Sequence, residues 1–295
     1  MPHAPRGAAP RLAAIPGLIA LFCILWSSAF AAGKIAVADC PPLTLLAARF
    51  LLAGALLVGT SVALGRFKPL SRRDWAALAL AGVMNNALYL GLSFSGLATV
   101  SSAFTAVIIS ANPLLTAMVA GPILGERLTP RKVLGLVLGF AGVIIVLRSR
   151  LAGGHEALSG TLLVLAALVA LTAGTLTYKR FGTSADLLQA SGLQCLAGAC
   201  ALIPVAAFLE TPSSVHLTPG FLAAFAYLVV AVSVGGYTLW YFILNRSSAT
   251  EATALHFLMP PLGLLFGWVL LDEPVPLLDI LGIVPIAAGI WLVTR

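Results

Sequence analysis

The chain has 295 residues, of which 60% are hydrophobic and only 9% charged, and its formal net charge is +7. A water-soluble domain carries about a quarter charged residues, so a soluble globular fold is excluded. The basic residues sit in short gaps between long apolar runs, where membrane proteins keep their topology signals, so the charge does not point to nucleic acid. The four cysteines are too few for a disulfide framework. Cys23, Cys195 and Cys200 lie in apolar runs and Cys40 in a gap, and all four read as structural.

Runs of about 17–25 apolar residues cross the hydrocarbon core as helices. In chain order the sequence predicts them near 13–33, 43–64, 75–95, 98–124, 133–147, 158–178, 187–208, 219–243, 249–271 and 278–294. The third and fourth are joined only by a turn at Ser95 and Gly96, and no gap is long enough for a soluble domain. The first run follows Arg6 and Arg11 and ends in Ala29-Phe30-Ala31, which also resembles a cleavable signal peptide. Its full-span length and the Trp26-Ser27-Ser28 near its end favour a retained helix.

Lys and Arg counts orient the chain. With the N-terminus inside, cytoplasmic segments hold thirteen of the seventeen: Arg6, Arg11, Arg66, Lys68, Arg72, Arg73, Arg127, Arg131, Lys132, Lys179, Arg180, Arg246 and Arg295. Outer loops hold Lys34, Arg148 and Arg150, and Arg49 falls within the second helix. Both termini are therefore expected in the cytoplasm.

The sequence repeats at an offset of 147 residues. Pro113 maps to Pro260, Leu115 to Leu262, Leu124 to Leu271, Glu126 to Glu273, Leu134 to Leu281, Gly135 to Gly282, Gly142 to Gly289 and Val146 to Val293. Helices four and five thus match nine and ten, while one to three match six to eight poorly. Five helices per unit is an odd number, so the second unit enters the membrane inverted. The basic loop Glu126-Arg127-Leu128-Thr129-Pro130-Arg131-Lys132 becomes Asp272-Glu273-Pro274-Val275-Pro276-Leu277-Leu278-Asp279, with no basic residue. The expected fold is an all-α membrane protein of ten transmembrane helices, two inverted five-helix repeats at 1–150 and 151–295. Transporters of that architecture bind solute near midplane between the repeats.

Several segments resemble the EamA family of the drug/metabolite transporter superfamily. They are Trp26-Ser27-Ser28-Ala29-Phe30, Pro41-Pro42 with Arg49-Phe50, the block Ala98–Val146 and the block Ala249–Val293. The doubled Pro…Glu…Gly…Gly spacing is the specific part, and Asp272 departs from the Gly usual in the second block. The resemblance implies a multi-pass protein of a bacterial inner membrane that moves small metabolites, most like the aromatic and neutral amino-acid exporters of the YddG type. A ten-helix chain of this kind can work as a transporter alone, as a monomer, and without soluble-enzyme motifs no enzyme activity is expected.

Polar residues at membrane depth are the candidates for function. All ten carboxylates fall at helix ends or in gaps, which removes the usual acid for proton or sodium coupling. His256 could serve coupling or substrate contact, or be a neutral imidazole bonded to a neighbouring helix. Arg49 could meet a substrate carboxylate, snorkel to the outer interface or bond backbone carbonyls at a helix break. Asn85, Asn86 and Tyr89 share a helical face by spacing, read as cavity lining against the alternative of interhelical glue; Gln194 is treated alike. Tyr237 and Tyr241 share a face behind Gly235-Gly236 and could stack on an apolar substrate. Trp240 and Tyr241 lie near the cytoplasmic end, where aromatics gather at the interface in any case; Trp26 is the better cavity candidate, and Trp75, Tyr178 and Trp291 are assigned to the membrane interface. Pro113 and Pro260 are read as paired hinges rather than static kinks. Gly135, Gly139 and Gly142 give small-residue packing faces.

No phosphate loop, metal-ligand cluster or nucleophile triad is present, so no cofactor or metal is expected. Partners are a small-molecule substrate and the lipid bilayer. An intramembrane enzyme on lipid or isoprenoid substrates would need acids or metal ligands at depth, and a channel would show polar rings along a pore.

Overall fold

The computed structural model describes residues 16–151, 156–211, 214–273, 275 and 277–294. Arg6, Arg11, Arg295, Pro274, Pro276, both chain ends and residues 13–15 of the first predicted run lie outside the described residues, as do the side chains of Val146, Arg150 and Asp279. The described residues are helical, with turns between and no strand.

Among the described residues eight helices are long and apolar enough to cross a bilayer: α1 (Pro16–Asp39), α2 (Pro42–Ala63), α3 (Arg72–Leu97), α4 (Ser102–Leu124), α6 (Leu158–Phe181), α7 (Leu187–Leu209), α8 (Pro219–Arg246) and α9 (Ala249–Leu271). Two others, α5 (Pro130–Leu151) and α10 (Leu277–Thr294), pack against each other. Helix starts follow from sequence. Ser71, Ser101, Asp186, Thr218 and Ser248 are N-caps whose side chains accept a backbone N–H of the first turn of α3, α4, α7, α8 and α9. Leu51, Leu52, Leu56, Phe208, Trp268 and Val284 stay exposed around the outside, the surface a bilayer would cover.

Three local expectations are corrected. The turn after the third span falls at residues 98–101, because Ser95 and Gly96 continue the helix and Ser101 caps the next one. Lys34 lies inside α1 rather than in an outer loop, and its Nζ donates to the carbonyls of Leu97 (2.7 Å) and Val100 (2.8 Å) at the end of α3. Arg148 lies within α5, which runs on to Leu151.

Each half of the chain also carries one π-helical stretch, Val83–Tyr89 in α3 and Leu228–Gly236 in α8. Such stretches loosen the ladder and often mark functional sites. Ser233 fills one gap, donating from Oγ to the Leu228 carbonyl at 2.9 Å.

α4 and α9 break at equivalent points. Ahead of Pro113 the backbone bonds tighten to three-residue spacing, Ala111 N to Ile108 O and Leu114 N to Ala111 O. Ahead of Pro260 the residues Leu255–Leu258 form a 3₁₀ turn. Each proline then stands in the first turn of a new helical segment, where its missing N–H is tolerated. Both helices end in a left-handed residue, Gly125 (φ 70°) and Asp272 (φ 52°). Asp272 therefore occupies a position that favours glycine.

α4 and α9 run antiparallel and grip each other at both ends. Glu126, beyond the end of α4, accepts from the N–H of Ala249 (2.6 Å) and Thr250 (3.2 Å) and from the Thr250 hydroxyl (2.7 Å) at the start of α9. Glu273, beyond the end of α9, accepts from the N–H of Ser102 (3.1 Å) and Ala103 (3.3 Å) and from the Ser102 hydroxyl (3.0 Å) at the start of α4. Carboxylates at helix N-termini satisfy orphan donors and the helix dipole together. Between the clamps, a Cβ on Gly263 would meet Ala106 Cβ at 2.7 Å, so the two helices nearly touch.

α5 and α10 cross in the same antiparallel sense. A Cβ on Gly135 would stand 2.8 Å from the Gly289 carbonyl, and one on Gly142 2.6 Å from the Gly282 carbonyl. Gly139 receives the ring of Phe257 from α9.

Candidate functional site

The helices close around a buried polar and aromatic centre drawn from α1, α2, α3, α7, α8 and α9. Arg49 from α2 is at its heart, 1% exposed, so the snorkelling alternative is excluded. Its Nε donates to Ser233 Oγ at 2.8 Å, and the guanidinium lies over the rings of Phe50 (5.2 Å) and Phe94 (5.9 Å). Its Nη1 has no hydrogen-bond partner. A small cavity opens beside it, lined by Trp26, Phe30, Arg49, Tyr89, Phe94 and Tyr237 among others. Its volume of about 20 Å³ holds one water and no solute. Tyr237 lines this cavity too, and its buried hydroxyl has no partner.

Trp26 joins this cavity to an aromatic cluster. Its ring lies 5.6 Å from Tyr237, 5.8 Å from Trp240 and 5.1 Å from Phe22, and Phe22 stacks on Trp240 at 5.5 Å. His256 meets Trp240 edge-on at 5.2 Å and Trp26 at 6.0 Å. The Nδ1 of His256 is 3.0 Å from the Thr253 carbonyl, one turn back in its own helix. A carbonyl only accepts, so Nδ1 carries the proton, and Nε2 is left unpartnered among the rings. The imidazole bond is thus within α9 and not to a neighbouring helix.

The remaining candidates divide among different neighbours. Tyr89 faces the Arg49 cavity, but Asn85 packs on Gly174 of α6 and Asn86 on Gly198 of α7. The three side chains of this π-helical segment thus meet different neighbours rather than lining one cavity. Tyr241 donates to Gln194 Oε1 at 2.7 Å, and its ring lies tilted against Tyr178 at 4.6 Å. Beside the α4 break, Asn112 Oδ1 accepts from Thr172 of α6 at 2.8 Å and from Thr116 at 3.3 Å.

Sequence reasoning assigned Tyr178 to the membrane interface and set Trp240 and Tyr241 near it, and the structure buries all three. Nearness to a helix end does not say which way a ring points. Trp75 and Trp291 are exposed, and Arg131 lies over the Trp291 ring at 5.2 Å. Ser233 and Phe22 were missed: one is a lone serine and the other one apolar residue among many. The loop carboxylates were also underread. Besides Glu126 and Glu273, Glu210 accepts from the N–H of Leu43 and Thr44 at the start of α2, and Glu156 from Ser101 N at 2.8 Å. Burial and then the Glu210 charge push the Cys40 thiol up to about 11, which suits an unreactive cysteine. Among the described residues no group of three or more His, Cys, Asp or Glu side chains is placed to hold a metal.

Broken helices meeting at a buried polar and aromatic centre define an integral membrane transporter. The chain belongs to the EamA-like transporter family, whose profile matches residues 15–148 and again 158–295. It is similar to the Bacillus subtilis protein named "Uncharacterized transporter YvbV", 29% identical over 94% of this chain and 90% of that one. It is also similar to the Escherichia coli "Probable amino-acid metabolite efflux pump", 26% identical over 94% of this chain and 93% of that one. A solved crystal structure superposes with a TM-score of 0.75 at 21% identity, covering 95% and 96% of the two chains, a likeness of fold.

Proposed function

We propose that this chain exports amino acids, neutral or aromatic, and related metabolites from the cytoplasm of a bacterial cell by alternating access. The ten helices act as two five-helix units, residues 1–150 and 151–295, inserted in opposite orientations with both termini cytoplasmic. The observation that carries this reading is the reciprocal clamp. Glu126 holds the start of α9 and Glu273 the start of α4 by matching bonds, which is the contact pattern of two equivalent units related by a twofold axis in the membrane plane. The antiparallel glycine contacts of α5 and α10 support the same axis. A centre with room for one water suits a carrier caught closed rather than an open pore. The helix breaks before Pro113 and Pro260 supply paired hinges for opening it. Export of amino acids rests on the efflux-pump relative and on the aromatic lining.

Two measurements test this. In a cysteine-free background, Glu126→Cys should react with an impermeant maleimide from the cytoplasmic side and Glu273→Cys from the opposite side. Labelling of both from one side refutes the inverted arrangement. Reconstituted protein should show saturable counterflow of a neutral or aromatic amino acid, and silence across the whole neutral panel removes the substrate reading.

A further inference from the structure

Arg49 stands as a cation with no anion. A guanidinium held out of water without a carboxylate is unfavourable by an amount on the order of several kcal/mol, and such a residue at membrane depth is retained for a task. Its carboxylate-free surroundings are specific. Nε is committed to Ser233, the flanks of the guanidinium are the rings of Phe50 and Phe94, and Nη1 is buried without a partner on a side chain that lines the cavity. A second lining side chain carries an unpartnered donor as well, the buried hydroxyl of Tyr237. Two side chains with a donor to spare, one of them charged, thus line a void whose other walls are mostly the rings of Trp26, Phe30, Tyr89 and Phe94.

Building on the export reading above, we infer that Arg49 Nη1 and the Tyr237 hydroxyl receive the carboxylate of the transported solute, whose apolar or aromatic end takes the Trp26–Trp240 cluster. The recognised class is an organic monocarboxylate with an apolar body; the ammonium of an amino acid is secondary. Ser233 is a positioning residue: its bond to Nε fixes the guanidinium plane, and it is held in turn by the Leu228 carbonyl exposed in the π-helical stretch. The cavity is too small for a carboxylate as it stands, so binding widens it where the two π-helical stretches, through Tyr89 and Val232, form its sides.

The test separates the two ends of the solute. Purified wild-type protein is heated with L-phenylalanine, 3-phenylpropionate, L-phenylalaninamide or phenethylamine, and the same compounds compete in counterflow. Both carboxylates should raise Tm and compete. Loss of a charge-assisted pair at ~1.5–3 kcal/mol predicts ~10–100-fold weaker competition by the amide and amine. Arg49→Gln should bring acid and amide to equal potency, and Arg49→Lys should restore part of the preference. Equal protection by phenylalanine and its amide overturns the assignment while leaving export intact, and so does a panel in which neither carboxylate protects. Protection by 3-phenylpropionate without any amino-acid counterflow sustains the Arg49 assignment and removes the amino-acid reading. The wild-type thermal shifts decide the matter even where Arg49→Gln does not fold.

Discussion

Replacing Glu126 by alanine removes a carboxylate that accepts three bonds across the two halves, at 2.6, 3.2 and 2.7 Å. Two backbone donors at the start of α9 lose their acceptor. A buried donor left unsatisfied costs about 1–3 kcal/mol, and a carboxylate at a helix N-terminus adds about 0.3–1 kcal/mol through the dipole. The end of the bundle is wet enough for water to recover part of this, so Glu126→Ala should destabilise by ~2–4 kcal/mol. Glu126→Gln keeps one acceptor and loses the charge, for ~1–2 kcal/mol. Glu273→Ala should match Glu126→Ala, because its bonds to Ser102 and Ala103 repeat the same pattern at 3.1, 3.3 and 3.0 Å. The assay is thermal unfolding in detergent with a double-mutant cycle against Thr250→Val, where a coupling of ~1 kcal/mol is expected for directly bonded partners. Additive behaviour of Glu126→Ala and Thr250→Val, or an unchanged Tm in the single variant, refutes the clamp.

Other outcomes follow from single contacts. Asp272→Gly relieves a left-handed residue with a side chain and should stabilise by ~0.5–1 kcal/mol; a fall in Tm would count against the strain. Gly142→Ala places a methyl 2.6 Å from the Gly282 carbonyl, so α5 and α10 must part, and a loss of ~1–3 kcal/mol is expected by thermal unfolding. Tyr241→Phe orphans the Gln194 oxygen, for ~1–3 kcal/mol, and Gln194→Leu in the same chain should recover part of it in the same assay. Lys132→Ala breaks a half-buried 2.9 Å ion pair with Glu251 and should move Tm little, by ~0–1 kcal/mol.

The membrane helices and the 147-residue offset were legible in the sequence, because hydropathy runs and a fixed offset need only local information. The helix breaks at Pro113 and Pro260 could be read for the same reason: proline disrupts a helix wherever it stands in one. What the sequence could not show was where side chains meet. A glutamate in a short loop carries no sign that it caps a helix 123 residues away, yet Glu126 does so at Ala249. Trp240 looked like an interfacial ring, and its burial against Phe22, Trp26 and His256 depends on the rotation of α8, which apolar neighbours on every side leave undetermined. The π-helical stretches left no compositional mark either, and it is the packing that sets Asn85 against α6, Asn86 against α7 and Tyr89 against the Arg49 cavity. The sequence by itself determined that helices span a bilayer and where they break, since both follow from the backbone's need for internal hydrogen bonds in lipid. Only the tertiary structure decided that Arg49 is buried beside a small cavity with a donor to spare, because that depends on which residues of α1, α3 and α8 surround it.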